Sequence, residues 1–463
     1  MYGYYYVNVE NPGKKPEPEK RNKLSQSKIL LIAILCLAAI ALTSGIFYIA
    51  DKILNPELIK VLVEPTLDYD WVYACGEELL IAYEKGKGGI IDKYGNIIVP
   101  LIYDSVSEFT EGLMVVFNGR YFDGKSAAIN PKGNIVIDFI DGRIFFFNNG
   151  LAIIYYDGKC GAINKDGEFV IPLIYEELSG FVDNFASARK NDKWGIIDNT
   201  GEIVIEFKYD TIIRYIGNGF FATSKEYAAE LLNKNGESVF SEKYDWINYF
   251  GEGMAEIRKD GKSGFIDETG KIIIPPAYYN INNFSDGLAR VCVSGTAPSF
   301  SSSLGRWGFI DKTGELVIPA EYDEAEDFVN GYSVVRKYSE NGKHGIINKQ
   351  GELVVPMIYE YIRLYANGLA TVGIQEEVSA HIHSCGVIKT NGEIVVPMIY
   401  DNIEISEDGR LIAAWKNGKA GLLNKKGDVI LPFEYDEIFI NNIRDNLLCV
   451  QKDGLWGIIE VKK

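Results

Sequence analysis

Beyond residue 50, apolar residues come in short bursts bounded by glycine, proline, asparagine or aspartate, the pattern of half-buried strands rather than of helices. The stretch KWGIIDNTGEIVIEFKYD, residues 193 to 210, shows the motif: an apolar strand, a polar turn, and a second apolar strand closing on a Tyr-acid pair. A further apolar run, typified by LAIIYY at Leu151–Tyr156, precedes each such segment. The pattern therefore predicts units of three short strands. One segment differs in kind: residues 29 to 50, ILLIAILCLAAIALTSGIFYIA, hold 22 residues without a charge. At about 1.5 Å per residue such a helix would cover roughly 33 Å, enough to cross a bilayer core.

The turn between the last two strands of a unit is the clearest local signal. It recurs ten times, from DKYG ending at Gly95 to NKKG ending at Gly427, with Asp or Asn opening all but KTNG. An Asp or Asn side chain there bonds forward to the backbone, and the closing glycine accepts a left-handed conformation, so each turn pins a hairpin.

The glycine of Trp194-Gly195 recurs as Gly89, Gly161, Gly264, Gly308, Gly345, Gly386, Gly421 and Gly457, with Ala127 and Glu230 in the two remaining units, at intervals of 34 to 44 residues. A near-constant period in this range means an array of like supersecondary units. Most units end in Pro-x-x-Tyr, and in most the tyrosine is followed by an acid, at Asp104, Glu176, Asp210, Asp245, Asp323, Glu360, Asp401 and Asp436. Such carboxylates could form a ladder for Ca²⁺ or a cationic ligand. The preferred reading is that the tyrosine packs between units and the acid satisfies a backbone amide in the next turn.

Units such as RWGFIDKTGELVIPAEYD, residues 306 to 323, resemble the bacterial WG-containing, or KWG, β-repeat family, and the resemblance runs from about Trp71 to Glu460. It implies an all-β repeat module that mediates interactions, and it says little about chemistry. The fifth unit, AAELLNKNGESVFSEKYD, departs from the pattern by losing its glycine and proline, and the second lacks the Tyr-acid pair. Both should be locally irregular.

Three strands cannot bury an apolar face alone, so the units must stack. Propellers usually have four to eight blades of four strands. About ten three-stranded units fit that description poorly, and the chain shows no obvious closing strand. The expected fold is an all-β repeat array, open and superhelical or solenoid-like, over 71–463. A β-propeller ring or rings is the alternative. Residues 1–28 read as a disordered tail, 29–50 as a transmembrane helix and 51–70 as a linker.

Charge adds a direction. Six Lys or Arg between Lys14 and Lys28 precede the apolar span and only Lys52 and Lys60 follow closely, which places the N-terminus in the cytoplasm and the repeats outside, on a bacterial cell membrane. The chain carries −17; its first fifty residues carry +3, leaving −20 on the rest. Such a surface repels nucleic acid and favours neutral or basic partners. Cys75, Cys160, Cys292, Cys385 and Cys449 are scattered in apolar runs and read as buried thiols.

No G-x-S-x-G, H-E-x-x-H, P-loop or dinucleotide fingerprint is present, and no cofactor is expected. Two insertions break the period, residues 293 to 308 and 372 to 386, and lengthened loops often carry binding residues. They contribute Ser299, Phe300, His381 and His383 as candidates. His381, His383 and Cys385 alternate, so they would share one side of a strand as an incomplete metal set, with His344 a remote fourth ligand. The tryptophan position holds anything from Gly88 to Trp456. That variety suggests an exposed rim, with Trp194, Trp307 and Trp456 as docking aromatics for an extracellular protein, peptide or glycan. The expected function is a membrane-anchored binding or scaffold module. A cell-envelope hydrolase using repeat-borne carboxylates is the alternative.

Overall fold

The computed structural model describes residues 59–120, 123–225, 228–240, 244–294, 305–340, 342–375 and 383–462. The expected tail and membrane span, residues 1–28 and 29–50, lie outside them. Among the described residues no helix is long and apolar enough to cross a membrane; the rest is strand, turn and two short 3-10 segments.

Each unit gains a strand that the sequence pattern did not show. The third blade runs Arg143–Asn148, Leu151–Tyr156, Lys159–Asn164 and Phe169–Tyr175, hydrogen-bonded in that order. The new element is the first strand, which starts at or just after the Tyr-acid pair. In several blades it is only two residues long, as at Ser105–Val106 and Glu324–Ala325. A two-residue strand has no periodicity to detect, so the three-stranded unit is corrected to four.

The described chain forms eleven antiparallel sheets, ten of four strands and one of three. The short one is the fifth, where residues 241–243 lie outside the described ones and Ser238 and Tyr244 bridge Leu232 and Ala229; the second unit, also expected to be irregular, has four strands. The chain's core does not lie within a sheet. Cys75, Ile81, Ile90 and Val99 of the first sheet pack against Met114, Val116 and Ala127 of the second, and every later junction repeats this arrangement. The eleventh cluster joins the ends, with Val72, Leu80, Ala82 and Ile91 packed on Leu447, Cys449, Trp456 and Ile458. Eleven sheets in an open row would have ten junctions. Eleven cores therefore make a closed β-propeller ring, and the open array is overturned.

The closing strand is Ile59–Leu67, inside the stretch expected to be linker. It pairs antiparallel with Leu455–Val461, Ile59 opposite Val461 and Val61 opposite Ile459. The eleventh blade is thus built from both ends of the repeat region. In register its Glu64 and Leu67 stand where the first blade has Pro100 and Tyr103, so the unit's strand ending is absent and the sequence pattern did not mark it. Burial of each large apolar side chain contributes about 1.5–3 kcal/mol, and here that gain exists only once two blades meet.

The first strands lie toward the ring axis, where blades converge; Arg214–Gly217 and Trp246–Gly251, first strands of neighbouring blades, touch each other. The fourth strands form the outer edge.

Candidate functional site

The Lys, Trp and Gly of the motif have three separate jobs. A Cβ on Gly195 would stand 2.7 Å from the carbonyl oxygen of Ile205 in the adjoining fourth strand, and one on Gly264 would stand 2.3 Å from that of Ile274. Neither clearance admits a side chain, so this glycine is set by strand-to-strand approach.

The tryptophan position is not a rim. Ser126, Cys160, Ser263, Cys385, Ala420 and Trp456 all occupy it and all are buried; Trp194, Trp307 and His344 are half-buried. In several blades the slot accepts this range because its cross-strand neighbour changes in compensation. Gly88 faces Tyr83, Ser126 faces Phe117 and Ala420 faces Trp415, whereas Trp307 faces Cys292 and Trp456 faces Gln451. In these blades the pair trades volume across the strands; elsewhere it does not, since Ala229 faces Ser224, Cys385 faces Gly373 and Trp194 faces Arg189. Trp456 is 1% exposed and donates its indole N–H to the Tyr69 carbonyl at 2.9 Å, so it offers no surface to a ligand. Over Trp307 lies the Arg290 guanidinium, 5.3 Å from the ring centre.

The lysine and the acid form a latch between blades. Lys87 pairs with Asp104 at 2.5 Å, Arg306 with Asp323 at 2.6 Å and Lys419 with Asp436 at 2.6 Å; Lys193–Asp210 and Lys343–Glu360 repeat the pairing. The same carboxylates accept amides from a turn of the next blade: Gly119 N–H to Asp104 at 2.9 Å, Tyr338 N–H to Asp323 at 2.7 Å, and Asn191 and Asp192 N–H to Glu176 at 3.0 and 3.1 Å. Those turn amides, with Lys159 and Arg189, hold the Glu176 carboxyl below the ordinary range. The tyrosines pack between blades as expected: Phe139 stacks on Tyr103 with centroids 6.2 Å apart, and Phe207 on Tyr175 at 5.8 Å. The carboxylate column is therefore structural rather than a cation ladder.

Of the loop candidates, Ser299, Phe300 and His381 lie outside the described residues, and His383 is described only as the first residue of His383–Lys389, paired with Gln375. Cys385 is buried, receives the Tyr361 hydroxyl at 2.9 Å, and has its thiol pushed up by burial. His344 stands in another blade, half-buried opposite Tyr359. Among the described residues no group of three His, Cys, Asp or Glu is placed to hold a metal. All five described cysteines are buried, and none of them is in a disulfide.

The first strands hold what the sequence reading missed. In Arg143–Asn148 the register slips between Ile144 and Phe147, and a bulge re-aims the side chains it carries. Phe145 and Phe146 are consequently 37% and 60% exposed while Phe147 is buried. They line an apolar hollow of about 240 Å³ with Leu151, Ile153, Leu178 and Phe181, between the third and fourth blades. Asn148 supplies its polar edge and donates to the Phe181 carbonyl at 3.4 Å. Trp246 and Tyr249 flank a similar slip between Ile247 and Phe250 and are also exposed, as is Trp71. Three phenylalanines in a row, which break strand alternation, were the available clue. A hollow of this size is below the usual drug-sized range of about 300–1,000 Å³, so it suits one inserted apolar or aromatic group. A second hollow, about 520 Å³, lies at the turns of the tenth, eleventh and first blades. Its charges are largely self-engaged: Arg410 with Asp408, and Asp445 with the Glu78 N–H at 3.0 Å.

Closed propeller geometry, inter-blade cores and a binding-type hollow on the inner strands define an all-β repeat ring. The WG containing repeat family matches ten segments, residues 89–120, 128–160, 161–194, 194–227, 231–262, 264–296, 307–339, 345–374, 386–419 and 421–456, more than half of the chain. The chain belongs to this family. No curated protein matches it. Among solved structures it is similar to a eukaryotic initiation factor (11% identity, TM-score 0.38, 66% of this chain and 92% of that one). It is also similar to the tricorn protease (10%, 0.28, 84% and 55%) and to the extracellular domain of the putative hybrid two component system BT3049 from B. thetaiotaomicron (11%, 0.23, 75% and 54%).

Proposed function

We propose that this chain is a membrane-tethered binding ring that takes an apolar side chain of a protein or peptide ligand on its inner strands and runs no reaction of its own. The observation that carries this reading is the exposed pair Phe145 and Phe146 beside an apolar hollow of about 240 Å³, in a molecule whose repeated carboxylates are committed to inter-blade latches. Rigid aromatics bind with little loss of side-chain entropy. The uncharged run at 29–50, with six basic residues before it, supports a single-pass anchor that leaves the ring outside the cell.

Full-length protein in detergent micelles, presented with a peptide array and a glycan array, tests it. Peptides bearing an aliphatic or aromatic side chain should bind, and Phe146→Ser should weaken them about tenfold, the scale of one buried aromatic contact. Binding confined to glycans would replace the peptide reading with a carbohydrate one. Turnover of a glycan lost on changing a single acid would replace both with a hydrolase.

A further inference from the structure

The fourth strand of each blade is the last in its sheet, so its outer side presents backbone N–H and C=O groups to any extended chain. Seven of the eleven fourth-strand segments carry proline at one position of the register: Pro100, Pro172, Pro275, Pro319, Pro356, Pro397 and Pro432. Proline cannot donate there and blocks strand addition. In the fifth blade the position lies outside the described residues. Three blades remain, and each puts an exposed acid there: Glu64 in the eleventh, where Pro65 follows directly, Asp138 in Ile135–Asp141 of the second and Glu206 in Ile203–Tyr209 of the fourth.

The second-blade edge is the most receptive. Ile135 and Val136 are 49% and 43% exposed, and Phe139 also reaches the surface. Asp138 and Asp141 give it negative charge, with Lys125 meeting only Asp141, at 3.2 Å. The fourth-blade edge sets the exposed Lys208 two residues after its acid. An acid at an open edge selects its partner. It repels a second copy of this acidic chain, which carries −17 and would bring the same carboxylates, and it accepts a basic strand.

We propose that Ile135–Asp141 receives an extended peptide segment with lysine or arginine between apolar residues, which adds to the second blade as a fifth strand. Main-chain hydrogen bonds supply the affinity, and Ile135, Val136 and the two aspartates supply the selectivity. This site is on the outer edge and is independent of the inner hollow.

The test uses full-length protein and a fluorescent Lys-Val-Thr-Val-Lys-Val amide, read by anisotropy. Asp138→Pro installs the residue that seven other segments already carry, so the fold should hold, and it should weaken binding about tenfold or more, the loss of one or two backbone hydrogen bonds. Asp138→Asn keeps the N–H and should weaken binding only a few-fold; equal losses in the two variants would make the contact purely electrostatic and overturn strand addition. On the unaltered protein, the same peptide N-methylated at alternate residues should fail to bind. Full binding by that peptide overturns the proposal whether or not the proline variant folds. A dimer of the chain that Asp138→Pro abolishes would assign the edge to a second copy and overturn it as well.

Discussion

Trp456, near the end of the ring, donates its indole N–H to the carbonyl oxygen of Tyr69, near its start, at 2.9 Å. The half-buried Phe439 and the exposed Trp71 flank that buried indole, with ring centres 5.0 and 6.1 Å away, so an aromatic cluster covers the seam between the chain ends. Trp456→Phe should cost about 1 kcal/mol, the net worth of one hydrogen bond, and Trp456→Ala about 3–5 kcal/mol. Urea unfolding measures both. Losses near zero for both variants would mean that the seam does not limit ring stability.

The shared slot between Trp415 and Ala420 predicts coupling. Trp415→Ala should cost about 3 kcal/mol by opening a cavity, and Ala420→Trp should cost about 1–3 kcal/mol by overpacking. The double variant exchanges the two residues and should recover at least about 1 kcal/mol of the summed loss. Strict additivity in a double-mutant cycle would show that the two positions do not share volume.

The latch between Lys419 and Asp436 bears on acid stability. The lysine's hydrogen bond, aided by turn amides of the last blade, holds the Asp436 carboxyl below its ordinary value. A lowered carboxyl contributes stability above its unfolded value, and that contribution is lost as pH falls through the folded one. Asp436→Asn should therefore be less stable than the parent near neutrality, by under about 1 kcal/mol because the pair is solvent-screened. The gap should close in acid. A gap that widened in acid would reverse the assigned sign.

Glu256 has the opposite sign. Burial pushes its carboxyl up, and the Ser263 hydroxyl, donating at 2.7 Å, offsets only part of this. A raised acid binds its proton more tightly when folded, so its stability contribution falls as pH rises from the unfolded value through the folded one. Glu256→Gln, neutral and nearly the same shape, should be more stable than the parent at about pH 8 and should match it at about pH 4, where free glutamate is largely protonated. Thermal midpoints at the two pH values decide it; a midpoint lowered at both would mean that the charged carboxylate is itself stabilising.

Much of the local structure could be read directly. The turn ending at Gly95 has φ +85°, with the Asp92 carboxylate accepting the Tyr94 and Asn96 amides at 2.8 Å. Turn chemistry is decided within five residues, so sequence carries it. The Tyr-acid pairs were also legible, since the structural role was the simpler one for a residue recurring at the same step of every unit. The tryptophan column was misread because its logic lies in a pair: Ser126 is small where Phe117 is large, and their cross-strand contact is not visible in one column. Exposure of Phe145 and Phe146 came from a register slip, a tertiary adjustment in a strand that otherwise looks fully apolar.

The sequence by itself determined the repeat period, three of the four strands, the hairpin turns, the glycine contact and the family, because each rests on backbone geometry repeated within a few dozen residues. Only the tertiary structure decided that the units close. Closure depends on the summed rotation of eleven blades and on the pairing of Ile59 with Val461 across the whole domain. The closing strand has Glu64 and Leu67 where most units have proline and tyrosine, so its own pattern did not identify it. Its partner was four hundred residues away, and no local pattern could say that the two would meet.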